Sequence, residues 1–241
     1  MKKDRIYTTP KEKPEDFCFD DQVAQVFPDM INRSVPGYPL MLEMIGVIAK
    51  LKTQPDSRCY DLGCSLGAST LSLRHNIPED SCRIIAIDNA PAMIERCRKN
   101  IERDTSNIPV EVRCEDILST PIENASLVVM NLTLQFIAPD KRELLLSRIY
   151  QGLNPGGVLI LSEKIYSTGQ QNQSLLTDLH HHFKRMQGYS ELEISQKRSA
   201  LEKVLLPETL QAHTDRLQRV GFNQTTCWFQ CFNFASVLAS K

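Results

Sequence analysis

Between residues 57 and 163 the sequence alternates short apolar runs with amphipathic stretches, and this alternation constrains the fold more than any other feature. It predicts strands at about 58–62, 83–88, 110–114, 126–131 and 157–162, separated by helices that include 67–75, 91–103 and 139–152. Strands that alternate with helices favour a parallel sheet covered on both faces. We therefore predict an α/β fold of the doubly wound, Rossmann-like type.

The flanking regions predict helices and a final strand pair. Residues 1–19 mix charges with Pro10 and Pro14 and show no period, which indicates a flexible N-terminal arm. One domain is predicted over 20–241: it opens with two helices, the first capped by Asp20, and carries a helical insert at about 168–206. Residues 222–239 predict two antiparallel strands joined near Gln230.

The loop after the first predicted strand, Asp61-Leu62-Gly63-Cys64-Ser65-Leu66-Gly67, fits two different chemistries. Gly63 to Gly67 matches the G-x-S-x-G nucleophile elbow of α/β hydrolases, with Ser65 as the nucleophile. The same residues fit the Asp-x-Gly-x-Gly-x-Gly loop of S-adenosylmethionine (SAM) enzymes, with Ser65 at the middle glycine position.

The context of the loop favours SAM binding. A hydrolase elbow normally follows several strands, whereas the residues before 57 favour helices and contain no histidine. Asp88 ends the second predicted strand roughly 20 residues beyond the loop, which is the position of the ribose-binding acid in Rossmann-like sites.

Polar or small residues follow four consecutive predicted strands, where open α/β sheets bind their ligands. They are Gly63, Cys64 and Ser65, then Asp88 and Asn89, then Asp116 and Ile117, then Asn131. We expect Asp88 to accept both ribose hydroxyls, the Gly63 backbone to approach the amino-acid part of SAM, and Asp116 with Ile117 to hold adenine. For each residue alone a structural role is an equal alternative, such as helix capping by Asp88 ahead of Pro91.

Composition excludes several classes of protein. The 241 residues carry a formal net charge of −1, so no basic footprint for direct nucleic-acid binding is expected. Eight cysteines without C-x-x-C or framework spacing indicate free thiols in a reducing cytoplasm. No apolar run approaches the length of a membrane span, which predicts a cytoplasmic protein without membrane attachment.

Candidates for chemistry beyond the cofactor are few. Arg198 offers a guanidinium that can bind a carboxylate through two hydrogen bonds. His180-His181-His182 predicts a polar helix face and no metal site, because neighbouring helical side chains point about 100° apart. No motif supplies an evident general base.

With these residues placed, the chain resembles the carboxy-S-adenosyl-L-methionine (carboxy-SAM) synthase family. The resemblance covers 60–67, the Ile149–Gly157 stretch, Gly188–Ser199 and Trp228–Phe234, and this family also has serine at position 65. It implies ligand-binding roles for Tyr38, Gly63, Cys64, Ser65, Asp88, Asn89, Asp116, Ile117 and Asn131, and it implies that Arg198 meets the added carboxylate.

The resemblance also implies an activity and partners. Members convert SAM and prephenate to carboxy-SAM and phenylpyruvate: prephenate loses carbon dioxide, a SAM ylide is proposed to capture it, and the leaving hydroxide can take the methyl proton. No metal is implied. Members form homodimers and supply a second enzyme that carboxymethylates wobble uridine in tRNA. Two alternatives stay open, a SAM-dependent methyltransferase of a small molecule or tRNA, and a SAM-binding protein without turnover.

Overall fold

A computed structural model describes residues 2–10, 15–78 and 82–241 of the chain. Within these residues a seven-stranded sheet has the order β3-β2-β1-β4-β5-β7-β6. The strands are β1 Ser57–Leu62, β2 Cys82–Asp88, β3 Val110–Cys114, β4 Ala125–Asn131, β5 Leu153–Lys164, β6 Gln224–Cys231 and β7 Phe234–Ser240. The first five strands are parallel, and β7 runs antiparallel to both β5 and β6. The predicted doubly wound α/β fold with a C-terminal antiparallel pair is therefore confirmed.

Eight helices surround this sheet in the described part of the chain. They are α1 Asp21–Ser34, α2 Tyr38–Lys52, α3 Ala68–Asn76, α4 Pro91–Arg103, α5 Pro139–Gly152, α6 Gln170–Met186, α7 Glu191–Leu201 and α8 Leu210–Arg219. A short 3₁₀ turn, Leu134–Phe136, follows β4. Asp20 caps α1 as predicted, since its carboxylate accepts the Val23 N–H at 2.9 Å. None of the described helices combines the length and the apolar character needed to cross a lipid bilayer.

The central strands are apolar on both sides because helices cover both faces of the sheet. Tyr60 and Leu62 of β1 belong to one hydrophobic cluster, whereas Cys59, which precedes Tyr60, belongs to the cluster on the opposite face. This alternation with a period of two follows from strand geometry. The sheet is thereby fixed as the rigid platform that presents the ends of its strands.

Two strand boundaries differ from those predicted. β5 begins at Leu153, directly after α5, because Leu153 pairs with Ala125. A bulge follows, and regular pairing with β4 starts again at Val158. The turn between β6 and β7 lies at 232–233, beyond the predicted Gln230, and Phe232 adopts a left-handed φ of 52° there. Apolar runs indicate where pairing is favoured, but bulges and turns depend on the partner strand.

The N-terminal segment packs against the helices that follow β5. The Tyr189 hydroxyl donates to the Asp4 carboxylate at 2.6 Å, and the Gln196 side chain donates to the Tyr7 carbonyl at 2.9 Å. The Phe17 side chain is buried in the same region. Residues 1 and 11–14 of the predicted arm lie outside the described residues. The division into an arm over 1–19 and a domain over 20–241 with an insert at 168–206 stays a prediction.

Candidate functional site

The loop between β1 and α3 depends on two glycines in the left-handed region. Gly63 has a φ of +82°, and a Cβ there would lie 2.4 Å from the Thr133 side chain. Gly67 has a φ of +86°, and its Cβ would lie 2.9 Å from the Cys97 sulfur. Only glycine fits both the conformation and the space. The loop therefore brings glycine backbone to the carboxyl end of β1, next to the N-terminus of α3, whose first N–H groups have no partner within the helix.

Asp88 ties this loop to the end of β2. Its Oδ2 accepts the Ser65 backbone N–H at 2.9 Å, and its Oδ1 accepts the Ala90 N–H at 2.9 Å. Burial raises the pKa of the Asp88 carboxyl, and these backbone N–H groups oppose that rise. A carboxylate has about four acceptor positions, so hydroxyl groups of a ligand can still donate to it.

A cavity of about 410 Å³ lies at the carboxyl ends of the strands. Nine of the ten residues predicted for the site line it together: Tyr38, Gly63, Cys64, Ser65, Asp88, Asn89, Asp116, Ile117 and Asn131. The structure therefore brings together residues from four strand ends and α2, although their role in binding stays a prediction.

Two residues of this set have acceptor groups suited to a ligand. The Asn131 side chain donates to the Ser69 hydroxyl at 3.1 Å, and its buried Oδ1 accepts no hydrogen bond from the described residues. Asp116 orders its own loop, because its Oδ1 accepts the Leu118 N–H at 2.9 Å. A buried acceptor without a donor is unfavourable, so a donor group of a ligand at Asn131 would be stabilising.

Arg198 differs from the other nine residues. It lies on α7 with an exposed side chain and is not among the residues that line the cavity. Its charge still reaches the site, because it contributes to lowering the pKa of Lys164, after the larger effect of burial. Its predicted contact with a carboxylate stays a prediction.

Four basic side chains line the cavity and were not among the predicted site residues: Lys164, His180, Lys184 and Lys197. The predicted polar face for the three histidines is wrong for His180, which is buried and whose Nε2 hydrogen-bonds to the Ser34 carbonyl at 2.8 Å. Burial and neighbouring cations, first Lys184, lower the pKa of His180 to about 3, so this imidazole is neutral near pH 7.

Part of this basic group had a signal in the sequence. Lys164 ends β5, so the strand-end argument applied to the first four strands would also have found it. His180 and Lys184 are four residues apart and share one face of α6. That spacing shows that they lie together, but only the docking of α6 shows that their face meets the cavity.

The surroundings of Ser65 do not match a hydrolase nucleophile. Its φ of 50° is left-handed, yet its hydroxyl donates to the Met93 sulfur at 3.6 Å, and no imidazole of the described chain is hydrogen-bonded to it. A nucleophilic serine needs an adjacent base.

No group of three or more His, Cys, Asp or Glu side chains within the described ranges is arranged to hold a metal ion.

Comparisons with known proteins agree with this geometry. A family model described as a methyltransferase domain matches residues 60–157. The fold is similar to human N-acetylserotonin methyltransferase in complex with SAM, with a TM-score of 0.61 and 20% identity, covering 92% of this chain and 55% of that one. An O-methyltransferase family protein from Burkholderia thailandensis has a TM-score of 0.68 at 13% identity, covering 92% and 60%. This chain thus spans little more than half of each, and the likeness shows the fold alone.

Curated relatives are similar over nearly their whole length. The carboxy-SAM synthase of Marinobacter nauticus is 58% identical over 99% of this chain and 95% of its own. That of Hahella chejuensis is 59% identical over 99% and 98%. That of Cronobacter sakazakii is 54% identical over 99% and 97%. This chain therefore belongs to the carboxy-S-adenosyl-L-methionine synthase family.

Proposed function

We propose that this protein is a transferase that converts SAM and prephenate to carboxy-SAM and phenylpyruvate. The observation that carries the proposal is the cavity itself: nine residues of the predicted SAM site and four basic side chains line the same cavity. A cationic cofactor suits the acidic Asp88 and Asp116, whereas the basic side chains suit an anionic second substrate. Relatives at 54–59% identity are named for the carboxylated product.

The cofactor site is proposed residue by residue. Asp88 accepts the ribose hydroxyls, Asp116 and the apolar Ile117 hold the adenine amino group and ring, and the Gly63 backbone approaches the amino-acid part. Five other residues that line the cavity complete this site: Tyr38, Cys64, Ser65, Asn89 and Asn131. Burial, together with the charge of Asp61, raises the pKa of the Tyr38 phenol, so it stays a neutral hydrogen-bonding group.

The reaction needs no enzymatic base to balance. Prephenate loses carbon dioxide and hydroxide as its ring becomes aromatic, the hydroxide takes a proton from the SAM methyl group, and the methyl carbon gains the carbon dioxide. The products are carboxy-SAM, phenylpyruvate and water. The chain's own contribution is then to hold two partners in contact and to exclude bulk water.

Several aromatic side chains suit this water-excluding role. Phe17, Phe19, Phe27 and Phe136 line the cavity, and the rings of Phe19 and Phe136 pack edge to face at 5.3 Å. Apolar walls strengthen electrostatic contacts inside the cavity and protect a reactive carbon dioxide molecule from dilution into solvent.

We propose that Arg198 recognises the carboxylate that distinguishes carboxy-SAM from SAM.

The proposal extends to the setting of the enzyme. We propose a cytoplasmic homodimer whose product is used by a tRNA carboxymethyltransferase, without direct contact with nucleic acid, in keeping with the net charge of −1. Apolar side chains exposed on two helices support a dimer: Val47 and Leu51 of α2 are 55% and 76% exposed, and Leu175 of α6 is 57% exposed. Sedimentation equilibrium tests this part.

The first experiment is to measure the mass of the small molecule released from the denatured, purified protein. A mass one carbon dioxide above SAM supports the proposal. The same protein, supplied with SAM and prephenate, is expected to form carboxy-SAM and phenylpyruvate in equal amounts. Plain SAM on release and a methylated acceptor on turnover would return the function to a methyltransferase, and bound SAM without any SAM-derived product would indicate a non-catalytic binding protein.

A further inference from the structure

The wall of the cavity formed by β5 and the helices after it carries three lysines and the neutral His180. Lys164 ends β5, His180 and Lys184 lie one turn apart on α6, and Lys197 lies on α7. All four side chains line the cavity, and none belongs to the proposed SAM site. These four residues, which we call the basic wall, are therefore available to bind a ligand other than SAM.

The basic wall adjoins the proposed SAM site. The Ser34 carbonyl at the end of α1 is held by His180, and the His180 ring packs against Phe234 at 5.1 Å between centroids. Phe234 lies in one hydrophobic cluster with Tyr38 and Leu132. A molecule against this wall would consequently lie beside the end of β4, where Asn131 precedes Leu132.

The lysines of this wall differ in their countercharges. Lys197 donates to the Ser34 hydroxyl at 3.0 Å and lies 3.8 Å from the Asp4 carboxylate. Lys164 and Lys184 have no carboxylate of the described residues within salt-bridge distance, and Lys184 is only 7% exposed. A buried ammonium group without a countercharge is strongly unfavourable, so an anionic ligand is the group that would stabilise this pair.

Burial and neighbouring positive charges also lower the pKa values of Lys184 and Lys164. Burial, then the charges of Lys197 and Lys164, lowers the pKa of Lys184 to about 7, against a smaller opposing effect of Asp4. Burial, followed by Arg198, lowers the pKa of Lys164. A bound carboxylate would raise both values again, because it favours the charged ammonium form.

The burial pattern of α6 departs from the usual one, although Leu176 and Phe183 are half-buried. Leu175 and Leu179 are exposed, while His180 and Lys184 on another face are buried against the cavity. An amphipathic helix normally buries its leucines. Placing the basic face inward favours a charged ligand as the role of this face.

We propose that Lys164 and Lys184 bind the carboxylate of the second substrate that is retained in the product, which makes them the 2-oxo-acid subsite. This inference rests on the proposed function. The other carboxylate loses its charge as it leaves as carbon dioxide, so a cation paired with it would stabilise the ground state more than the transition state. The retained 2-oxo-acid carboxylate keeps its charge throughout, and a lysine pair holds it without opposing the reaction.

The test is a calorimetric titration of the SAM-loaded protein with phenylpyruvate and, separately, with its neutral methyl ester. The wild type should bind the acid more tightly than the ester. Lys184→Met and Lys164→Met should each weaken binding of the acid about tenfold or more, down towards the level of the ester, because each removes a charge-assisted contact. Both variants should bind SAM within about twofold of the wild type, which also shows that they are folded.

Lys203→Met is the matched control, since it removes one positive charge from an exposed residue just after α7 and should leave the affinity for phenylpyruvate unchanged. Unchanged affinity in the Lys184 and Lys164 variants, or failure of the wild type to bind the acid better than the ester, would overturn the subsite. Failure of the proposed function would show separately, as absence of carboxy-SAM when wild-type protein receives SAM and prephenate.

Discussion

Replacing Asp88 with asparagine separates its proposed ligand-binding role from its structural role. The substitution keeps the size of the side chain and removes its charge. In the free protein, Oδ1 and Oδ2 each accept a backbone N–H at 2.9 Å, from Ala90 and Ser65. The asparagine NH₂ group must face one of these donors, which costs about 1–3 kcal/mol of folding stability.

The loss of SAM affinity comes from the ribose hydroxyls. A hydrogen bond to a charged acceptor contributes about 1.5–3 kcal/mol and one to a neutral acceptor about 0.5–1.5 kcal/mol, so each hydroxyl loses roughly 1–1.5 kcal/mol. Two hydroxyls give about 2–3 kcal/mol, or about a 30- to 160-fold increase in Kd. Because burial raises the pKa of Asp88, SAM affinity of the wild type should also fall at acidic pH, and the variant should lack this step.

Isothermal titration calorimetry with SAM, alongside thermal unfolding, measures the two effects separately. Asp140→Asn is the control, because Asp140 is exposed in the first turn of α5, away from the cavity lining. A folded Asp88→Asn protein that binds SAM within about threefold of the wild type would refute the ribose assignment, whatever its thermal stability.

Three further substitutions test other parts of the site. Gly63→Ala should lower stability by about 1–2 kcal/mol and weaken SAM binding about tenfold, because its Cβ must displace Thr133. Gly156 shares the left-handed φ without a close contact, so the control Gly156→Ala should lower stability alone. Thermal unfolding and titration with SAM measure the two effects. Arg198→Ala should weaken binding of carboxy-SAM about 10- to 100-fold and that of SAM far less; equal losses in a competition titration would rule out its proposed role. Glu163→Gln should flatten the pH dependence of stability: burial raises the pKa of Glu163 to about 8, so the folded state holds an extra proton between pH 4.5 and 8 and wild-type stability falls as pH rises through that window. Urea unfolding of both proteins at pH 5 and pH 8 measures the free energy of unfolding at each pH. An equal change between the two pH values in both proteins would contradict the reasoning.

The sheet and the strand-end residues could be predicted because both follow from local pattern. Apolar runs that end in Asp88 or Asn131 identify strands together with the edge where they end, and parallel strands place those ends on one side. No knowledge of long-range packing was needed for that step. The cavity lining confirms that these residues come together.

Apart from Lys164 at the end of β5, the basic wall could not be predicted in the same way, because it depends on how helices outside the sheet dock. Hydrophobic periodicity in α6 favours burial of Leu175 and Leu179, yet both are exposed and Lys184 is buried instead. Periodicity locates the faces of a helix but assumes that the apolar face turns inward. That assumption is wrong where a helix presents charge to a binding cavity.

The contact between Asp4 and Tyr189 also has a consequence for how the enzyme is made. The two residues are 185 positions apart, so at about 5–20 residues per second the ribosome adds Tyr189 about 10–40 s after Asp4. During that interval β1 to β5 and the helices between them can begin to assemble, because this stretch of the chain has already been synthesised. The helices α6 and α7, which carry Lys184 and Lys197, then pack beside the proposed SAM site, whose residues other than Arg198 precede them in the chain. A nascent chain should therefore gain affinity for SAM before it gains affinity for its second substrate.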